Sequence, residues 1–290
     1  VRPGPYICSE YEFGGFPSWI LRDMTNQNYF LRTNDPTYMK HVLDWFKVLM
    51  PVLAKHQFIN NGPIIAVQVE NEYGNFGNPE LDYMEHLRQI IIGEGVNQTL
   101  LVSSDNPSAG TQGTLPDRLF MTGNFNWDAD QNLNLLKTYQ PNRPVMAMEY
   151  WDGWFDTVGY NRSTWYTKDA VSQMYEDILK FPASANIYMF LGGTNFRFLS
   201  GANANWNNSD FDPVTTSYDY DAALNDAGDY TEKYEVIKTL LDKYTKIKTR
   251  LPDKPELKPR VAYDTVNIEE KLFKFCITLL LMYKKFIIIR

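Results

Sequence analysis

The 290-residue chain predicts an α/β protein built on a parallel sheet, and three observations carry that reading. Short apolar runs recur along it, helix-like runs with one apolar face lie between them, and two of the apolar runs end on carboxylates. The run Pro63-Ile64-Ile65-Ala66-Val67 is apolar throughout, as expected of a strand buried on both faces of a parallel sheet. Alternation of such runs with helices argues for βα units.

In chain order, the first segment is a strand-like motif, Arg2-Pro3-Gly4-Pro5-Tyr6-Ile7-Cys8. Asp35 caps a helix whose first residue is Pro36, with Met39, Val42, Leu43 and Phe46 on one face. After the run at 63–67, Asn78-Pro79 repeats that start signal before Leu81, Met84, Leu87 and Ile91. Further strands are expected at Leu100-Leu101-Val102, Leu119-Phe120-Met121, Pro144 to Met148 and Ile187 to Phe190, with helices near 168–180 and 231–246. Six strand-end motifs result. Residues 251–260, with three prolines, read as a linker.

Chemistry concentrates at two strand ends. Val67-Gln68-Val69 runs into Glu70-Asn71-Glu72-Tyr73-Gly74, and Val145-Met146-Ala147-Met148 runs into Glu149-Tyr150-Trp151-Asp152-Gly153-Trp154-Phe155. Strand alternation puts Glu70 and Glu72 on one face and Asn71 on the other, unless the strand breaks and a loop redirects them. The C-terminal mouth of an α/β sheet or barrel is where such enzymes keep their reacting groups. A lone glutamate there is ordinarily solvated or salt-bridged. Two, on two strands and among aromatics, point to glycoside hydrolysis, in which an acid protonates the leaving oxygen and a carboxylate acts at the anomeric carbon; retention requires them roughly 5–5.5 Å apart.

Composition removes several alternatives. A net charge of −7 without a basic stripe argues against a nucleic-acid partner. Aromatic residues make up 15% of the chain, which suits sugar stacking as well as a large core. His41, His56 and His86 fall on expected helices, so neither a His-based zinc site nor a Ser-His dyad has support, and no metal or cofactor is called for. The longest uncharged run of the C-terminal stretch, Phe275 to Tyr283, is far short of the roughly 20 residues a membrane span needs. Cys8 and Cys276 suggest no pairing, and sequons at Asn97, Asn161 and Asn207 give weak support for secretion. The chain does not start with Met, so the lack of a visible signal peptide carries no information.

Six segments together resemble glycoside hydrolase family 35, the β-galactosidases, which include the animal lysosomal enzyme. They are Arg2 to Glu10, Gly14-Gly15-Phe16-Pro17-Ser18-Trp19, Gln68 to Gly74, Glu149 to Asp156, Tyr188 to Phe196 and Thr216-Ser217-Tyr218-Asp219-Tyr220-Asp221-Ala222. The likeness runs in order from residue 1 to about residue 270. It implies a (β/α)8 TIM barrel of the glycosidase clan, with an acid/base after strand 4 and a nucleophile after strand 7. By residue matching, Glu72 takes the acid/base position and Glu149 the nucleophile position. Asn71 matches a contact to the sugar 2-hydroxyl, Glu10 a strand-3 glutamate that binds galactose hydroxyls, and Tyr188, Tyr220 and Trp151 residues lining the same subsite. Glu70 is expected to support the site rather than react.

The same resemblance makes the first motif strand 3 of the barrel, so strands 1 and 2 are expected to be missing. Residues 1–250 then form a partial catalytic barrel of strands 3 to 8, residues 251–270 lead toward absent β-rich domains, and residues 271–290 depart from the family as an anomalous tail, read as a gene-model error. Expressed alone, such a chain is expected to aggregate and to be inactive. The chain also departs at Thr157-Val158-Gly159, where the family has a His-Trp-Gly-like segment, and at Arg197-Phe198-Leu199-Ser200. The implied function is a retaining exo-glycosidase that releases terminal β-D-galactose from glycolipids, glycoproteins or oligosaccharides, lysosomal or secreted, without cofactor or membrane span. The alternatives are an inactive galactoside-binding relative or a non-functional fragment. Retention of both Glu72 and Glu149 speaks against a pure binder.

Overall fold

The computed structural model describes residues 1–160, 164–204, 211–246 and 252–265. The chain divides into a unit Val1–Thr249 and a unit Arg250–Arg290. In the second unit, residues 252–265 contain no helix or strand. The expected tail at 271–290, Cys276 and the sequons at Asn161 and Asn207 lie outside the described residues.

In the first unit, α1 (Trp19–Gln27) and α2 (Pro36–Ala54) precede a sheet of five parallel strands. The strands are β1 (Ala66–Gln68), β2 (Leu100–Asp105), β3 (Phe120–Phe125), β4 (Met146–Trp151) and β5 (Ser184–Tyr188), paired in sequence order. Helix α3 (Leu81–Gly93) follows β1, α4 (Ala129–Tyr139) follows β3, α5 (Lys168–Lys180) follows β4 and α6 (Glu232–Tyr244) follows β5. The β2 to β3 connection carries only a short 3-10 turn at Pro107–Ala109. Between β5 and α6 lies a small antiparallel pair, β6 (Ala202–Ala204) with β7 (Phe211–Pro213). Strands in unbroken sequence order, joined by crossover helices, curl into an incomplete (β/α) barrel.

The physical causes are those the sequence suggests. Every residue of β3 is buried, as is β2 beyond Leu100, which is the condition of strands covered on both faces. The Asp35 side chain accepts from the backbone N–H of Thr37 and Tyr38, and Met39, Val42 and Phe46 are buried on the inner face of α2. Met84, Leu87 and Ile91 do the same on α3, although no side chain caps that helix. One core gathers α1, α2 and α3 around Val67 and Val69, and a second gathers α4, α5 and α6 around Val145, Ala147 and Tyr150.

Three expectations need correction. The first segment is not a regular strand: it lies beside β1 through Val1 N to Ala66 O at 3.0 Å, Gln68 N to Val1 O at 2.9 Å and Glu70 N to Gly4 O at 3.4 Å. Pro3 and Pro5 have no N–H to continue a ladder. His56 sits in the turn just past α2 rather than on a helix. The alternation expected at residues 70 to 72 does not occur, because β1 ends at Gln68 and both Glu70 (φ 63°) and Glu72 (φ 48°) adopt the left-handed conformation. Helices α1 and α4 are additional to the expected elements.

Candidate active site

The parallel strands all deliver their C-terminal ends to one side of the sheet, and polar side chains gather there. Glu72 stands in the loop after β1, Asn124 near the end of β3, Glu149 and Trp151 in β4, and Tyr188 at the end of β5. Glu10 comes from the first segment, and Tyr218 and Tyr220 from the loop before α6.

The β1 loop is held in its redirected path by contacts on both sides. Glu72 N donates to Ser104 O at 2.9 Å, and Gly74 N donates to Asp105 Oδ1 at 2.6 Å, so the loop is fastened to the end of β2. Glu70 turns inward and is fully buried. Arg32 grips it with Nε to Oε1 at 3.1 Å and Nη2 to Oε2 at 2.8 Å, and Tyr83 donates to Oε1 at 2.9 Å. The same guanidinium donates to Asn71 O at 2.6 Å, and Gln68 Nε2 donates to Asn71 Oδ1 at 3.0 Å. Turning Glu70 inward sends Glu72 to the site.

There Glu72 accepts from Asn124 Nδ2 at 3.0 Å, and Asn124 Oδ1 accepts from Ser104 Oγ at 2.6 Å. Burial, and then the charge of Glu149, push the Glu72 carboxyl above the ordinary glutamate range, against the opposing pull of the Asn124 bond. Glu149 takes donors on both oxygens: the Arg2 guanidinium on Oε1 and the Trp151 indole N–H, at 2.9 Å, on Oε2. Both partners are donors only, so these contacts serve an ionised carboxylate.

Glu10 accepts from the Tyr218 hydroxyl. Burial lifts the Glu10 carboxyl to about 7; that bond opposes the lift, and the charges of Glu149 and Glu72 add to it. The hydroxyls of Tyr188 and Tyr218 lie 3.3 Å apart, and the rings of Tyr188 and Tyr220 meet edge to face at 5.3 Å. The aromatic wall continues through Trp154, 5.9 Å from Trp151 and 6.0 Å from Tyr220. Two glycines allow this assembly: a Cβ at Gly153 would overlap Tyr220 O, and one at Gly192 would overlap Tyr218 O.

The structure therefore brings Glu10, Glu72, Glu149, Trp151, Tyr188 and Tyr220 into one cluster, with Asn71 buried beside it in the β1 loop. Arg2, Tyr218 and Asn124 belong to the cluster and carry no role in the sequence reading. Arg2 and Tyr218 lie in the family-like segments Arg2 to Glu10 and Thr216 to Ala222, whereas nothing in the sequence marks Asn124. Cys8 is a free thiol beside the cluster, and burial raises its pKa, so it stays protonated. Among the described residues no group of His, Cys, Asp and Glu is arranged to hold a metal, and no helix is long and apolar enough to cross a membrane.

The family model described as "Glycosyl hydrolases family 35" matches residues 1–244. The chain is 40% identical over 278 residues to "Beta-galactosidase-1-like protein" of Mus musculus, covering 95% of this chain and 42% of that protein. It is 37% identical over 278 residues to "Beta-galactosidase" of Homo sapiens, covering 93% and 39%. With "Beta-galactosidase 1" of Dictyostelium discoideum it shares 37% identity over 286 residues, covering 93% and 42%. The chain spans about two fifths of the length of these relatives.

Proposed function

Because the chain belongs to glycosyl hydrolase family 35, we propose that the cluster around Glu72 and Glu149 hydrolyses terminal β-D-galactosides with retention of configuration. The observation that carries this reading is the contrast between the two carboxyls. Glu72 is raised by burial and by a negative neighbour, whereas Glu149 is surrounded by donors. One protonated and one ionised carboxyl, facing a sugar from opposite sides, are what double displacement requires.

In the first step a Glu149 oxygen attacks the anomeric carbon while Glu72 gives its proton to the departing oxygen; the C–O bond to the aglycone breaks and a galactosyl ester forms. Esterification removes the charge of Glu149, which takes away one of the two causes holding Glu72 high. Glu72 then accepts a proton from water as the water attacks the anomeric carbon, and Glu149 leaves as a carboxylate. Two inversions give retention.

Around the ring, Glu10 and Asn71 are assigned to sugar hydroxyls, Glu10 favouring galactose, and Tyr188, Tyr220 and Trp151 to the walls of the subsite. Terminal galactose of glycolipids, glycoproteins or oligosaccharides is the substrate class, and a lysosomal or secreted location is proposed with it. The exposed sequon at Asn97 supports that location. A panel of aryl glycosides tests the substrate: the galactoside should be cleaved fastest, and faster cleavage of the glucoside or glucosaminide would overturn the assignment.

A further inference from the structure

Lys233 is the second residue of α6 and only 5% exposed. Neither circumstance favours it: the positive end of a helix prefers anions, and a lysine is buried only where partners surround its ammonium. Here Nζ donates to Asp152 O at 2.7 Å, Asp221 O at 2.5 Å and Asp221 Oδ2 at 2.7 Å, which uses all three of its donors. These bonds join the residue that follows β4 to the loop that carries Tyr218 and Tyr220. In that loop Tyr220 (φ 63°) and Asp221 (φ 52°) are consecutive left-handed residues, a conformation such side chains hold only where their surroundings impose it. Lys233 grips the second of them by both its carbonyl and its carboxylate. Thr231 adds to the hold: it makes no side-chain cap for its own helix, and its hydroxyl donates to Ala223 O at 2.8 Å.

We propose that Lys233 is the positioning residue of the sugar subsite and acts through Tyr220, an inference that rests on reading the cluster as a galactosidase centre. The Tyr220 ring stands 5.3 Å from that of Tyr188 and 6.0 Å from that of Trp154, so it is the meeting point of the aromatic walls. Asp152 and its neighbour Gly153 bring the end of β4 so close that a Cβ at Gly153 would lie 1.9 Å from Tyr220 O. Removing the ammonium frees the left-handed pair from the end of β4, and the Tyr220 ring leaves its place. The two carboxyls keep their own supports, Asn124 for Glu72 and Arg2 with Trp151 for Glu149. The loss therefore belongs to sugar binding rather than to the bond-breaking step.

The test uses the protein carrying this chain, an aryl β-galactoside as substrate and galactose as competitive inhibitor. Lys233→Met should raise KM and the galactose Ki together by about tenfold, while kcat falls by less than about threefold. Asp221→Asn keeps the backbone carbonyl and weakens only the ion pair, so it should move both constants the same way by a smaller factor. Tyr220→Ala closes a double-mutant cycle: added to Tyr220→Ala, Lys233→Met should raise KM by no more than about a further twofold. If Lys233→Met does not fold, Asp221→Asn takes its place in the cycle with the same expectation. Unchanged KM and galactose Ki, or losses that add in the cycle, would overturn the positioning role while leaving the galactosidase reading intact. No turnover of the galactoside by wild type would overturn both.

Discussion

The Arg2 guanidinium donates to Oε1 of Glu149, so the first residues of the chain fix the carboxylate that β4 presents. The same side chain reaches Gln68 Oε1 at 3.3 Å and Ile7 O at 3.1 Å, so one planar fork ties the first segment, β1 and β4 together. Without Arg2 the Glu149 carboxylate loses the donor that fixes its orientation, and misplacing a reacting group by about 1 Å can cost about a hundredfold in rate. Arg2→Met is therefore expected to lower kcat/KM by about a hundredfold or more, and Arg2→Lys to recover only part, because an ammonium cannot serve three acceptors in a plane. Steady-state kinetics on an aryl galactoside measure this, and unchanged kcat/KM in Arg2→Met would show that Glu149 does not depend on Arg2.

Asn124 gives a prediction in pH rather than in rate alone. Its amide bond favours the ionised form of Glu72, and Asn124→Ala removes it, leaving burial and Glu149 to act unopposed by this donor. The Glu72 pKa should rise. An acid catalyst works while protonated, so the alkaline limb of the kcat/KM profile should move to higher pH. A limb that moves to lower pH would assign it to another group.

Glu70 should behave as a support. Glu70→Gln leaves the half-buried Arg32 without its counter-charge, and a loss of stability on the order of 3 kcal/mol is expected. Thermal melting measures that loss, and a melting temperature equal to wild type would contradict it.

Stability should fall as pH rises from 5 to 8. Burial lifts Glu10, Asp105 and Asp152 each to about 7; Asp152 Oδ1 has no hydrogen-bond partner. The folded state thus holds protons that the unfolded chain releases near pH ~4. Stability from these groups is full below that value and is lost as pH rises through 7. The melting temperature should be higher at pH 5 than at pH 8, and Asp152→Asn should flatten the difference. A melting temperature that climbs from pH 5 to pH 8 would contradict the assignment.

The middle of the sheet is legible in the sequence because β2 beyond Leu100 and β3 are buried on both faces and open as apolar runs, whereas β5 is only partly covered and the exposed Ile65 of the run at 63–67 lies outside β1. Helix α5 spans Lys168–Lys180, as its pattern indicates, and Asp35 caps α2. The path of the β1 loop is not legible: strand alternation would keep Glu70 and Glu72 together, and two left-handed residues separate them. That conformation is imposed by Arg32 and by the end of β2, groups remote in sequence. Arg2 to Glu149, Tyr218 to Glu10 and Asn124 to Glu72 span 147, 208 and 52 residues. No local pattern encodes such pairings, so strand ends are legible in the sequence and the partners that orient their side chains are not.

The division of roles between Glu72 and Glu149 is tested most directly by azide rescue with an aryl galactoside whose leaving group needs no protonation. With Glu72→Ala, the galactosyl ester should form and accumulate, and azide should attack it to give the β-galactosyl azide. With Glu149→Ala no ester can form, and azide entering the vacated space should displace the aryloxide directly and give the α-galactosyl azide. These two configurations are the predicted result. The reverse pair would exchange the assignments, and near wild-type turnover by both variants without azide would contradict the mechanism at these residues.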